Sequence, residues 1–212
     1  MSHLRKLGML DLRDEQLEAL VSVCGQSLVE FAMVLPLMLL MVLGVIEVGY
    51  ALYVDHLIAK LGREGSNMIS RQTYIQDAES ALLAGSSAPL NLNSATGKII
   101  FSVVTTGSAG ANNGKIIIIK RRTVGTLTGK SAVDGTTSPP ASSYNGAPDY
   151  TAKDSNNDTA IQGATTLPNG MVLGAGQVLY VTEIFTSRGD ITPFSRFYKW
   201  ALPTSLYAAA YF

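Results

Sequence analysis

The sequence predicts an α+β protein in which one long N-terminal membrane-spanning helix is followed by a small antiparallel β-sheet domain with a long irregular loop. Three observations predict it. From Phe31 to Val54 the chain reads FAMVLPLMLLMVLGVIEVGYALYV, with Glu47 as its sole charge. Helical spacing of apolar residues then persists to Gly85. Beyond residue 86 the pattern changes to β-branched runs separated by Gly, Asn, Ser and Pro clusters. The 212 residues allow one ordinary domain beside a membrane segment.

Residues 1–25 form a short charged leader. Leu10, Leu17, Leu20 and Val21 lie loosely at helical spacing with Asp11, Asp14, Glu15 and Glu18 between them, too little apolar surface to build a core. The leader ends at Gly25, and Gln26-Ser27-Leu28-Val29-Glu30 leads into the apolar run. A carboxylate costs roughly 3 kcal/mol at the centre of a membrane helix, so Glu30 at the mouth of the span is expected either to find a partner in an assembly or to sit at the headgroup level, and Glu47 either to contact another helix or to be solvated near the outer interface.

The stretch 31–54 gives about 36 Å of helix, enough to cross a bilayer with some tilt. A buried core helix rarely runs so long without a polar stripe. A secretory signal peptide would have a shorter apolar region, a basic start and a small-residue cleavage site after the run; here the glycine precedes it. Pro36 loosens the helix, which membrane helices tolerate when neighbours satisfy the freed carbonyl. Arg5, Lys6 and Arg13 before the span balance Lys60, Arg63 and Arg71 after it, so charge counting leaves the orientation open.

Past the span, Leu57, Ile58, Leu61, Met68, Ile69, Ile75, Leu82 and Leu83 fall on one helical face, extending the long helix over 26–85. Gly62 and Gly65 each weaken it by about 1 kcal/mol relative to alanine, which predicts a bend there. The cluster Gly85-Ser86-Ser87-Ala88-Pro89 ends the helix.

The domain 86–212 opens with two segments that share Gly-Lys-Ile-Ile, at 97–104 and 114–120, joined by the turn chemistry of TTGSAGANNG; this predicts a β-hairpin. Residues 128–170 carry no sustained period and read as a long surface loop, either mobile or a contact surface. Residues 177–186 and 206–212 alternate as strands that pair and close the sheet.

Composition narrows the function. Sixteen basic and sixteen acidic residues balance, and charged residues are 15% of the chain, so no basic excess exists for nucleic acid. The single cysteine, Cys24, excludes an internal disulfide framework, and no apolar run precedes it as lipidation requires. The segment ending Gly129-Lys130-Ser131 lacks a P-loop's first glycine, because Val124 stands there, and no helix pattern follows. In Asp154-Ser155-Asn156-Asn157-Asp158, Thr159 and Thr165 replace the glycine and glutamate of a calcium loop, so a polar loop is the simpler reading. Arg188-Gly189-Asp190 is ordinary turn chemistry. Phe194, Phe197, Tyr198 and Trp200, with Arg196 and Lys199, suit either a membrane surface or packing beneath the sheet. With only His3 and His56 and no nucleophile elbow, zinc pair or clustered acids, the chain is expected to be no enzyme and to need no metal or cofactor.

Two sets of residues carry a family resemblance. Gly25 followed by Gln26-Ser27-Leu28-Val29-Glu30-Phe31 and the apolar stretch is similar to the processing site of type IV prepilins. Val29-Glu30-Phe31-Ala32-Met33-Val34-Leu35-Pro36 with Gly44, Glu47 and Gly49, then Arg63-Glu64-Gly65, resembles the TadE-like minor pseudopilins of tight-adherence pilus systems. The resemblance implies a prepilin peptidase that cuts between Gly25 and Gln26, and a bacterial inner-membrane anchor with a cytoplasmic N-terminus and an extracytoplasmic β domain. It further implies partners among other pilins or pseudopilins and a platform membrane protein of the pilus machine. Glu30, Glu47 and Pro36 become candidate assembly residues. The alternative is a bitopic membrane protein whose outer β domain and loop 128–170 bind a ligand or surface.

Overall fold

The computed structural model describes residues 2–86, 90–136, 138–189, 191–192 and 203–212, the stretch before Gln26 as helical backbone only. The leader's side chains, Cys24 among them, Asp190 and the aromatic run from Phe194 to Trp200 lie outside the described residues. The chain forms helix α1 (Ser2–Ser70), helix α2 (Ile75–Gly85) and strands β1 (Gly97–Thr106), β2 (Ile116–Gly125), β3 (Val178–Ser187) and β4 (Ser205–Tyr211). Two compact units make it up, Met1–Val48 with Ile191–Tyr198, and Gly49–Asp190 with Lys199–Phe212.

In the first unit the apolar helix stands almost bare. Phe31, Met33, Leu37, Met41, Val42 and Val45 are all exposed, as a helix surrounded by lipid requires. Helical structure continues through Pro36, which lacks the N–H that would otherwise reach the carbonyl of Ala32.

The second unit is a four-stranded antiparallel sheet in the order β2-β1-β3-β4. The expected hairpin is β1–β2, with a bulge where the pairing slips between Val103 and Val104. The expected partnership of the last two strands is β3–β4, with Phe185 opposite Tyr207 and Ile184 opposite Ala208. One sheet face, through Ile99, Phe101, Val124, Ile184 and Leu206, packs with Val54, Ile58, Leu61 and Ile69 of α1 and Ile75, Ala78 and Leu82 of α2.

Two sequence expectations change here. Helical structure continues through Gly62 and Gly65 and stops at Ser70, with Gln72 at φ 65° before α2 begins. From Ala51 to Ser70 a helix covers about 30 Å, roughly the length of a ten-residue strand, so the chain must turn back there to keep its next apolar face on the sheet. Gly65 serves a close contact. A Cβ on Gly65 would lie 2.9 Å from Thr182 Cγ2 and 3.0 Å from Leu82 Cδ2. Val54, the last residue of the expected span, is buried in the domain core.

The stretch 128–170 is irregular, as expected, but it is a packed layer and not a mere surface loop. Val133, Tyr144, Ile161 and Leu167 are buried against Val104, Ile117, Ile118, Leu179 and Val181 on the second sheet face. Backbone bonds from Ala152 N to Ile119 O (2.7 Å), Gly163 N to Ile116 O (2.9 Å) and Arg121 N to Tyr150 O (3.1 Å) also cover the outer edge of β2. Isolated apolar residues held by backbone bonds leave no period to read. At the hairpin tip Gly110, at φ +63°, comes so near this layer that a Cβ would sit 2.4 Å from Asn157 Oδ1.

Candidate functional site

The residues at the mouth of the span lie on continuous helix. Gly25 is within α1, so the Gly25–Gln26 bond is part of a helical backbone. Gln26 Nε2 donates to Glu30 Oε1 at 3.0 Å, an i,i+4 pair between exposed side chains. Such a contact contributes only tenths of a kcal/mol, which leaves the carboxylate accessible at low cost.

Glu47 is in the opposite situation. It is 1% exposed although Val45, Ile46 and Val48 around it are open. Its Oε1 accepts from both the backbone N and Oγ1 of Thr192, each at 2.8 Å, within the same compact unit. The acid of the apolar run therefore has a partner inside its own chain. No sequence signal singles out Thr192, since it belongs to no periodic element and lies 145 residues away.

Two polar features of the sheet domain carry no sequence expectation either. On the helix side, Gly62, Gly65 and Ser66 form a small-residue patch over β3 and β4, and Ser66 Oγ donates to Ala210 O at 2.9 Å. On the other side, Glu183 is fully buried and accepts from Ser131 Oγ, from Ala132 N (2.8 Å) and from Tyr207 Oη (2.7 Å). Beside it, Arg121 lies 2.8 Å from Asp134 and donates to Ser102 Oγ at 2.8 Å. Burial, and next the charge of Glu183, push the Tyr207 phenol above its ordinary range. These groups satisfy one another and fasten the irregular layer to the sheet. A lone carboxylate in the apolar run of β3 is the signal that points there.

The polar loop 154–158 spends its oxygens on its own backbone. Asp154 Oδ1 accepts from Asn156 N and Asn157 N, both at 3.0 Å, and these bonds hold its carboxyl below the usual range. Asp158 accepts from Ala160 N and caps a short turn. Among the described residues no group of three or more His, Cys, Asp or Glu side chains is placed to hold a metal ion.

No curated protein and no solved structure matches the chain. A family model does. Residues 25–67, from the glycine before Gln26 to the turn of α1 that docks on the sheet, match the TadE-like protein family, and with a helix apolar and long enough to cross a membrane this supports a membrane-anchored protein associated with a tight-adherence pilus.

Proposed function

We propose that the chain is a pseudopilin of a tight-adherence pilus, a non-enzymatic subunit held in the bacterial inner membrane. In this reading the leader is cytoplasmic, the β domain is extracytoplasmic, and a prepilin peptidase cuts between Gly25 and Gln26. The processed subunit then joins other pilins or pseudopilins on the platform membrane protein. The observation that carries the reading is the TadE-like match over residues 25–67, which begins at the expected scissile glycine and includes the exposed Glu30.

The chemistry follows from those positions. A cut after Gly25 frees the α-amine of Gln26, whose ordinary pKa near 8 keeps it mostly protonated at neutral pH. In lipid, that cation and the Glu30 carboxylate of a neighbouring subunit offset the burial cost of each other's charge. A neighbour slipped along the helix axis would leave both charges unpaired, so the pair sets axial register. Gln26 Nε2 holds Glu30 only through an exposed contact, readily exchanged for the amine. Glycine also makes position 25 easier to unwind for a peptidase than alanine would, by about 1 kcal/mol. Pro36 adds slack within the span. Glu47, engaged by Thr192, supports the subunit's own structure and leaves Glu30 as the acid offered to a neighbour.

The test is a Glu30→Ala variant expressed with the native machinery. The expected result is normal removal of the leader and loss of the protein from the assembled pilus fraction. Assembly at the level of the unsubstituted protein would contradict the role given to Glu30.

A further inference from the structure

The clasp between Glu47 and Thr192 has a location as well as a geometry. The apolar run Phe31–Ile46 spans about 24 Å of helix against a hydrocarbon core of about 30 Å, so with exposed Glu30 at one boundary Glu47 falls close to the other. Val54, two turns further along the helix, already belongs to the core of the sheet domain. Thr192 donates twice to Glu47, which fixes the chain segment after β3 against the helix at that level. The residue before it, Ile191, is 48% exposed, and the helix residues flanking Glu47 are apolar and exposed as well. Ile191 thus continues the lipid-facing surface of the helix onto a second segment of chain.

We propose that the Glu47–Thr192 clasp docks the segment after β3 into the outer interface of the bilayer, with Ile191 as its lipid-contacting side chain. The partner is the membrane itself. The inference rests on the reading of residues 31–46 as a membrane span, and on no part of the cleavage or assembly reading. Satisfying both hydrogen bonds to Glu47 removes the cost of an unpartnered carboxylate at the edge of the hydrocarbon, and the exposed isoleucine gains from leaving water.

Spin labels at single cysteines in the full-length Cys24→Ala protein, reconstituted in phospholipid nanodiscs, test it. Labels are placed at Ile191, at Met38 within the span and at Val172, which is 88% exposed in the sheet domain. The readout is collision with oxygen, which partitions into lipid, against collision with a water-soluble nickel chelate. The expected oxygen-to-nickel ratio at residue 191 lies several-fold above that at 172 and on the side of 38. A lipid-like ratio at 38 with a water-like ratio at 191 overturns the proposal alone; a water-like ratio at 38 overturns the span and the proposal with it. In a Glu47→Ala background the label at 191 should shift to the water-like value, and an unchanged ratio would overturn the role of the clasp. Should that variant fail to insert, Thr192→Val removes the Oγ1 donor of Thr192 and should produce a smaller shift in the same direction, with no shift counting against the clasp.

Discussion

Ser66 Oγ donates to the carbonyl of Ala210 at 2.9 Å, joining the last turns of the long helix to the C-terminal strand. Two glycines, Gly62 and Gly65, stand in the same stretch of helix. The two glycines differ in how much room they leave. A Cβ at Gly65 meets Thr182 Cγ2 at 2.9 Å, whereas one at Gly62 meets nothing nearer than Thr182 O at 3.7 Å.

Gly65→Ala should therefore destabilise the domain by about 1–3 kcal/mol through overpacking. Gly62→Ala should be neutral or stabilising by up to about 1 kcal/mol, the helix-propensity gain. Chemical denaturation of the full-length chain in detergent, followed by tyrosine and tryptophan fluorescence, separates the two. Equal losses would contradict a contact specific to Gly65.

The ion pair Arg121–Asp134 is nearly closed to solvent, with side-chain exposures of 8% and 1%. Asp134 Oδ1 accepts no aligned hydrogen bond among the described residues, so the 2.8 Å contact is mainly charge pairing, while Oδ2 accepts from Ser138 at 2.6 Å. Asp134→Ala should cost about 3–5 kcal/mol, because it strands a buried guanidinium. The paired replacement Arg121→Met with Asp134→Leu should recover much of that loss. A denaturation double-mutant cycle measures both, and additive losses would argue against coupling.

Alkali should weaken the domain. The phenols of Tyr144, Tyr207 and Tyr211 are all raised from their ordinary value of 10.0, in each case with burial as the largest cause. A raised folded-state value means the native chain keeps protons that the unfolded chain has released. The stabilisation is thus full below the unfolded value and is lost as pH climbs above it. Denaturation midpoints should be flat near about pH 8 and fall by about pH 11, and Tyr207→Phe should make that fall shallower. A midpoint that rises with alkali would contradict the raised phenols.

The elements that announce themselves by period were legible in the sequence. The apolar run, the paired Gly-Lys-Ile-Ile strands and the alternating last strand gave the α+β class and both strand pairings, because each buries a face through regular spacing. What was not legible depends on contacts without period. The layer from 128 to 170 buries Val133, Tyr144, Ile161 and Leu167 one at a time, so its packing cannot be read from spacing. Gly65 looked like a weak point because propensity is a local quantity, and its use is a close approach to Thr182, more than a hundred residues away. Glu47 was legible as an acid needing a partner. That the partner is Thr192 depends on tertiary folding alone.

The account stands most directly on the bond between Gly25 and Gln26. Intact-mass and N-terminal peptide analysis of the protein from cells with an active prepilin peptidase should give a mature chain beginning at Gln26, with or without the ammonia loss of a cyclised glutamine. The same cells lacking the peptidase should give the chain with its leader attached. A protein that keeps Met1–Gly25 in both would contradict the account.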